Sequence, residues 1–400
     1  MDRGDGLILT QTGVVTEDGV IENGYIRVEG GKIVSYGEMA DSVANQSGNV
    51  IPLHPNCRVL PGMIDIHIHG ADGADTMDAT FKSMERIAKV LPREGTTSFL
   101  ATTITQSPEA LNRTLSVVSE WIGEGPVSGG AECLGIHLEG PFLSPRRAGA
   151  QPLEHIRPPS TDQFRRWQTL CNGHIRLVTL APEEPGGLEL IRYLKNTGVV
   201  ASIGHSDATY AQVVEAVQAG ATHVTHLYNG MRGFHHREPG VVGAAWLRKE
   251  LLVEVIADGV HSTDDSLRLA YNQIGSERMI LITDAMRAKC LQEGVYDLGG
   301  QRVTVKGREA RLADGTLAGS ILRLADGVNR MRRVAGCGWE DLIRMTAANP
   351  ARALGVDDRK GTIAVGKDAD LVVWGPEGEI TLTLCRGQIT YRKGRGNGCA

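Results

Sequence analysis

No stretch of this 400-residue sequence stays apolar for long enough to span a bilayer. The N-terminus, "MDRGDGLILTQTGVV", carries charges and a short apolar patch but no signal-peptide core, so the expected compartment is the cytoplasm. Cysteine is sparse and scattered. Cys57, Cys133, Cys171, Cys290, Cys337, Cys385 and Cys399 are odd in number and form no CxxC pair, which argues against a disulfide framework and a thiolate metal site. A basic excess is also missing: 42 Lys and Arg against 47 Asp and Glu leave a net charge of −5, with no footprint for nucleic acid or an anionic membrane. An anionic substrate must therefore be met by a local pocket. No GxGxxG opens a helix after the first strand, which weakens a dinucleotide-binding sheet, and no internal repeat or low-complexity tract is present.

What remains is a soluble globular composition, 41% hydrophobic and 22% charged, at a length suited to one large barrel or two domains. Residues 6–60 read as short strands between turn signals at Asn23-Gly24, Gly30-Gly31 and "YGEMADSVANQSG"; "YIRVEGGKIVSYG" is a predicted hairpin. The C-terminal stretches "GTIAVGKDADLVVWG" and "EITLTLCRGQITYRKG" have the same character. Neither end has enough apolar surface to stand alone, so the two are expected to meet in one β-sandwich, built from residues 1–58 and 359–400 around a domain spanning 59–358.

The middle alternates. Eight β-rich segments, "MIDIHIHG", "TSFLATTI", "CLGIHLEGP", "IRLVTLAPE", "VVASIGHS", "HVTHLYN", "LLVEVIADG" and "MILITDA", are mostly separated by helical patterns such as "FKSMERIAKVLPREG" and "TYAQVVEAVQAG". This order predicts an α/β fold, a (β/α)8 TIM barrel. Two further helices should close it, the second ending near Asn349-Pro350.

Polar residues crowd the downstream ends of these strands. In "PGMIDIHIHG", Asp65, His67 and His69 share one face and the isoleucines the other. Same-face positions lie about 6.6 Å apart, so two imidazoles can converge on one ion at bonds of about 2.0–2.1 Å. Glu139 ends the third strand, His205 the fifth, His226 the sixth and Asp284 the eighth; Asp258 and His261 follow the seventh. In a barrel all of these ends open on one face, where the site is built. His137 reads as a hydrogen-bonded core histidine, and His235 and His236 as solvated loop residues. His223 faces away from His226.

Imidazole and carboxylate without thiolate favour Zn2+, with Fe2+, Mn2+ or Co2+ as alternatives. Glu139, His205 and His226 can hold one ion and leave a position for water, whose pKa then falls from about 15.7 to about 7. Asp284 is placed to take that water's proton and return it to a leaving amine. His261 can donate to the developing oxyanion, an interaction worth about 3–4 kcal/mol. The reaction class is metal-assisted amide hydrolysis. A second, weaker ion is expected on His67 and His69, with Glu139 bridging.

The stretches "PGMIDIHIHG", "GIHLEGPFLSP", "IGHSDAT", "THLYNGM", "REPG", "ADGVH", "ITDAM" and "LAGS" resemble the amidohydrolase superfamily and, within it, the N-acetylglucosamine-6-phosphate deacetylase family. The resemblance spans essentially the whole chain. It implies hydrolysis of N-acetyl-D-glucosamine 6-phosphate to D-glucosamine 6-phosphate and acetate, with the galactosamine epimer as the nearest alternative substrate. By the same resemblance Glu139, His205 and His226 are metal ligands, Asp284 is the acid/base and His261 polarises the carbonyl. Asn229, Gly230 and Arg237 match positions that hold the sugar phosphate, and Leu317, Ala318, Gly319 and Ser320 a loop that lines the substrate. Ala150 lies in "RRAGAQP", where Gln151 stands in place of a histidine frequent in the family. A homodimer is implied, with Arg237 reaching the neighbouring subunit's site. Two rivals are weaker. A dihydroorotase- or hydantoinase-like relative typically bridges two metals with a strand-end lysine, absent from the third and fourth strands here; a non-enzymatic barrel has no reason to keep ligands and acid/base together.

Overall fold

The computed structural model describes residues 6–40 and 48–394. Eight strands form the central sheet: β1 (Met63–Ile68), β2 (Thr96–Thr103), β3 (Glu132–Glu139), β4 (Ile175–Leu180), β5 (Val200–Ile203), β6 (His223–Val224), β7 (Leu252–Ile256) and β8 (Met279–Ile282). Each pairs in parallel with the next in chain order. Their near-continuous burial follows from having side chains on one face and helices on the other, which is why they read as apolar runs. Past the last rung, β8 meets β1: the Asp284 N–H donates to the His67 carbonyl at 2.8 Å, and the His69 and Gly70 N–H groups to the Ala285 carbonyl at 2.9 and 3.0 Å. The seam of the barrel thus runs through the polar residues flagged in the sequence.

A helix follows every strand: α1 (Phe81–Val90), α2 (Pro108–Gly123), α3 (Thr161–Leu170), α4 (Gly187–Asn196), α5 (Tyr210–Ala219), α6 (Gly240–Leu247), α7 (Asp264–Ile274) and α8 (Leu324–Ala335). Helix α1 shows the logic. Thr80 caps it by accepting from Ser83 N–H, and Met84, Ile87 and Ala88, spaced three and one apart, pack inward. The (β/α)8 barrel expected from the sequence is the observed fold.

The chain ends pair in one sheet, in the order Gln388–Arg392, Ile380–Cys385, Leu371–Trp374, Arg58–Pro61, Leu7–Thr16, Gly19–Glu29, Lys32–Glu38, with Asn49–Pro52 alongside Leu7–Thr16. It has its own core of Leu9, Val14, Ile26, Val59, Leu371, Val373 and Leu384. Strand Arg58–Pro61 straddles the expected boundary at residue 58, because it pairs with Leu371–Trp374 immediately before the chain enters β1. The hairpin at Gly30-Gly31 is present, both glycines having positive φ.

Two expectations need correction, and a third feature was not anticipated. Asn23-Gly24 is not a turn: it lies inside Gly19–Glu29, where the register slips on either side of the Thr12–Gly24 pair and glycine admits the bulge. The helix that starts at Trp339 does not stop at Asn349-Pro350. It widens into a π turn at Arg344–Ala348 and continues to Ala353, with Pro350 in the first turn of the last segment, where its missing N–H costs little. Thirdly, the segment after β8 is more than a lead-in to helix: Gly294–Leu298, Gln301–Lys306 and Glu309–Arg311 form an antiparallel sheet of their own. The "YGEMADSVANQSG" turn lies largely outside the described residues.

Candidate active site

Every predicted ligand sits where a strand hands over to its loop at the C-terminal end of the barrel. His67 is near the end of β1 and His69 just beyond it, Glu139 is the last residue of β3, and His205, His226 and Asp284 each follow their strand by two residues. The last three have φ of 47°, 31° and 48°, a left-handed conformation that non-glycine residues keep only when the surroundings hold them there. Gly230, also left-handed at φ 55°, presses on this group: a Cβ there would lie 2.9 Å from His205 Nδ1.

Four imidazoles converge on one buried carboxylate. Glu139 Oε1 lies 3.2 Å from His226 Nε2, 3.3 Å from His205 Nε2 and 3.4 Å from His67 Nε2; Oε2 lies 3.3 Å from His69 Nε2. His226 and His205 bring their Nε2 atoms within 3.1 Å of each other. Asp284 Oδ1 stands 3.2 Å from His69 Nε2 and 3.5 Å from His67 Nε2. The donors fall into two triads that share Glu139: Glu139 with His205 and His226, and Glu139 with His67 and His69. His67 Nε2 is buried without a hydrogen-bond partner among the described residues, and all four histidines turn the same nitrogen inward. That donor chemistry, nitrogen and oxygen around a common carboxylate, fits divalent cations.

Electrostatics point the same way. Burial opposes charge on His67 and His69, yet Glu139 and Asp284 raise His67 well above its ordinary range and His69 to about 9. Burial likewise opposes ionisation of Glu139 and Asp284, but the surrounding imidazoles hold both below their ordinary values. The ring demands positive charge, and protons and a divalent cation compete to supply it. Metal affinity should therefore weaken as pH falls.

Two of the four far nitrogens are also held. His205 Nδ1 lies 2.8 Å from the Arg147 carbonyl, and His67 Nδ1 lies 3.0 Å from Glu254 Oε2. On β3 itself, Glu139 Oε2 accepts from the Gln151 amide at 2.8 Å, while Gln151 Oε1 accepts from Thr105 N–H at 2.9 Å. His261 is braced by Asp258, whose Oδ2 lies 2.7 Å from Nδ1 and whose Oδ1 accepts from two backbone N–H groups. Burial works against a charged His261, but the Asp258 hydrogen bond and charge raise its pKa. This matters chemically. With Nδ1–H given to Asp258, Nε2 can donate only when the ring is an imidazolium.

A pocket of about 210 Å³ opens on this ring. Ala150, Asn229, Gly230, His261, Leu317 and Gly319 line it, beside His69, Glu139, His205, His226 and Asp284. Two residues of the predicted substrate loop point elsewhere. Ala318 packs into an apolar cluster with Leu298 and Val303, and the Ser320 hydroxyl donates to the Thr283 carbonyl at 2.5 Å. Of the four predicted loop residues only Leu317 and Gly319 line the pocket, with Thr316 beside them; the left-handed turn at Gly319 (φ 64°) carries the chain past it. Arg237 is outside it as well: the loop holding it is exposed, and its guanidinium contacts His236. Asp65 shares a strand face with the histidines but bonds to Thr283 below the ring.

His137 is the core histidine expected, held between Thr102 and Thr179; His223 is buried away from the pocket, and His235 and His236 are exposed. Sequence reasoning missed Glu254, the Gln151–Glu139 contact and the inserted sheet. The last matters because Gln301 in that sheet donates to the Ala150 carbonyl at 2.6 Å and Leu298 lines the pocket wall. For Glu254 a signal existed: it is the only charged residue in the apolar run "LLVEVIA".

A parallel barrel whose C-terminal rim gathers histidines and carboxylates around a pocket defines a class of metal-dependent hydrolases. The chain belongs to the amidohydrolase family, which its residues 58–390 match, and to the N-acetylglucosamine-6-phosphate deacetylase branch of it. It is 50% identical over 388 residues to N-acetylglucosamine-6-phosphate deacetylase of Bacillus subtilis (strain 168), covering 97% of this chain and 98% of that protein. It is 36% identical over 382 residues to N-acetylgalactosamine-6-phosphate deacetylase of Escherichia coli O157:H7, covering 96% and 98%. Among solved structures, a mutant N-acetyl-D-glucosamine-6-phosphate deacetylase from Mycobacterium smegmatis, in complex with N-acetyl-D-glucosamine-6-phosphate, superposes with a TM-score of 0.90 at 34% identity, covering 97% of this chain and all of that one.

Proposed function

We propose that this chain hydrolyses the acetamide of N-acetyl-D-glucosamine 6-phosphate, releasing acetate and D-glucosamine 6-phosphate. The observation that carries this reading is the convergence of two cation-binding triads on Glu139, with Asp284 beside them and a sugar-sized pocket above. A divalent ion on Glu139, His205 and His226, with Zn2+ the best match to these donors, supplies Lewis acidity and a readily ionised water when bound.

The chain's own groups do the rest. Asp284, kept ionised by its imidazole neighbours, accepts the water's proton and returns it to the departing nitrogen as the C–N bond breaks. His261, charged through its pairing with Asp258, donates Nε2–H to the carbonyl oxygen as negative charge gathers there. Gln151 holds the Glu139 carboxylate in its orientation. Leu317, Gly319 and Ala150 shape the wall against which the sugar lies. Free thiols at all six described cysteines support a reducing, cytoplasmic setting.

On this reading the phosphate is read by the backbone at Asn229-Gly230 and by Arg237 from a neighbouring subunit, which accounts for an exposed arginine outside its own pocket. Arg237→Ala should raise KM for the 6-phosphate sugar while barely changing the weak activity on unphosphorylated N-acetylglucosamine. Equal losses on both would show that the arginine does not read phosphate. The Escherichia coli relative makes the galactosamine epimer the second candidate. Steady-state acetate release from both 6-phosphate sugars decides between them: the glucosamine derivative should have the higher kcat/KM, and the reverse order would reassign the substrate.

The second ion, on His67 and His69, is the weaker of the two and is not needed for turnover. Metal analysis after gentle purification should find close to two ions per chain, falling to one in the His67→Gln, His69→Asn double variant with partial activity surviving. A wild-type protein that never exceeds one ion under metal-replete conditions would remove the second site.

A further inference from the structure

Glu254 sits in the middle of β7, wholly buried, in a strand whose other residues are apolar. A carboxylate there is expensive unless something compensates it. Its side chain lies 3.0 Å from His67 Nδ1, across 187 residues of sequence, and its second oxygen is buried without a partner among the described residues. With the Glu254 oxygen accepting this hydrogen bond, the donor is His67 Nδ1–H. That leaves Nε2, the atom facing Glu139 and Asp284, as the nitrogen that offers its lone pair to an ion once the ring is neutral. The first triad contains the same device in another form: His205 Nδ1 is held by the Arg147 backbone carbonyl. His69 Nδ1 and His226 Nδ1 have no such partner among the described residues.

We propose that Glu254 is a positioning residue for the second cation, fixing the tautomer and ring orientation of His67 so that Nε2 is committed to the ion. The role rests on the two-ion reading of the site. A histidine oriented by a carboxylate is a better and more selective ligand, and losing such a partner typically weakens metal binding about 10–100-fold. The carboxylate also brings a negative charge below a position that is otherwise crowded with imidazoles, which offsets repulsion between two neighbouring cations. A glutamate kept only to stabilise the barrel should behave differently, because an uncharged isostere would then be no better than any other loss of the contact.

The test is a competitive titration of metal-free protein with Zn2+ against a chromophoric chelator, paired with thermal unfolding of the same metal-free samples. Glu254→Ala should weaken the second Zn2+ equivalent about 10–100-fold and leave the first unchanged. Glu254→Gln, which retains an accepting oxygen but no charge, should fall between the two and unfold at no lower temperature than wild type. Should the alanine variant fail to fold, the glutamine variant alone carries the comparison. An unchanged second equivalent in the glutamine variant, or parallel losses of both equivalents and of thermal stability, would overturn the role. A wild type that binds a single equivalent would overturn the two-ion reading and this role with it; a wild type with two and a variant still with two tight equivalents would overturn this role alone.

Discussion

Asp284→Asn should keep the ion held by Glu139, His205 and His226 and bind substrate with nearly unchanged KM, while kcat falls by about 10²–10⁴-fold or more. The expectation comes from position and charge together. Asp284 closes the barrel seam through its backbone, since its N–H donates to the His67 carbonyl, so the side chain is delivered to the pocket by the fold itself. His67 and His69 hold its carboxyl below the ordinary range despite burial, which keeps it ionised and so able to take a proton. Asparagine fits the same space and cannot take a proton. Activity within a fewfold of wild type, with metal content intact, would remove Asp284 from the reaction.

Glu139→Ala should be at least as damaging, for a different reason. One carboxylate serves both triads, so its loss is expected to empty both cation positions rather than one. It also leaves four inward-facing imidazoles with Asp284 as the carboxylate on their inner side and Glu254 reaching only the far nitrogen of His67. Metal analysis should find close to no bound ion after dialysis, and acetate release should fall by at least about 10⁴-fold, since the activated water and its proton acceptor's partner vanish together. Retention of one tightly held ion would mean that the histidines suffice without the shared carboxylate. The contrast with the His67→Gln, His69→Asn variant is informative, because that variant should lose only one ion.

The barrel was legible because its strands are buried on both faces, which leaves apolar runs such as "MILI" that end abruptly in an acid or a histidine. Once the strands are ordered, barrel geometry alone brings His67, His69, Glu139, His205, His226 and Asp284 together. What escaped depends on information that is not local. Glu254 acquires meaning only from a histidine 187 positions away. Gln151 looked like a missing histidine and is instead the brace on Glu139. Ala318 and Ser320 were drawn into the pocket by their neighbours Leu317 and Gly319, although the first packs into an apolar cluster and the second bonds to the Thr283 carbonyl. The π turn that carries a helix across Pro350 has no sequence signature of its own, and neither does the bulge that absorbs Asn23-Gly24 into a strand.

If cations gathered at Glu139 drive deacetylation of an amino-sugar 6-phosphate, turnover must depend on them. The most direct test is acetate release from N-acetyl-D-glucosamine 6-phosphate by protein stripped with chelator and then titrated with Zn2+. The stripped protein should show no significant turnover and should recover most activity with the first equivalent, with a smaller gain from the second. Full turnover in the stripped protein, or none in the reconstituted one, would contradict it.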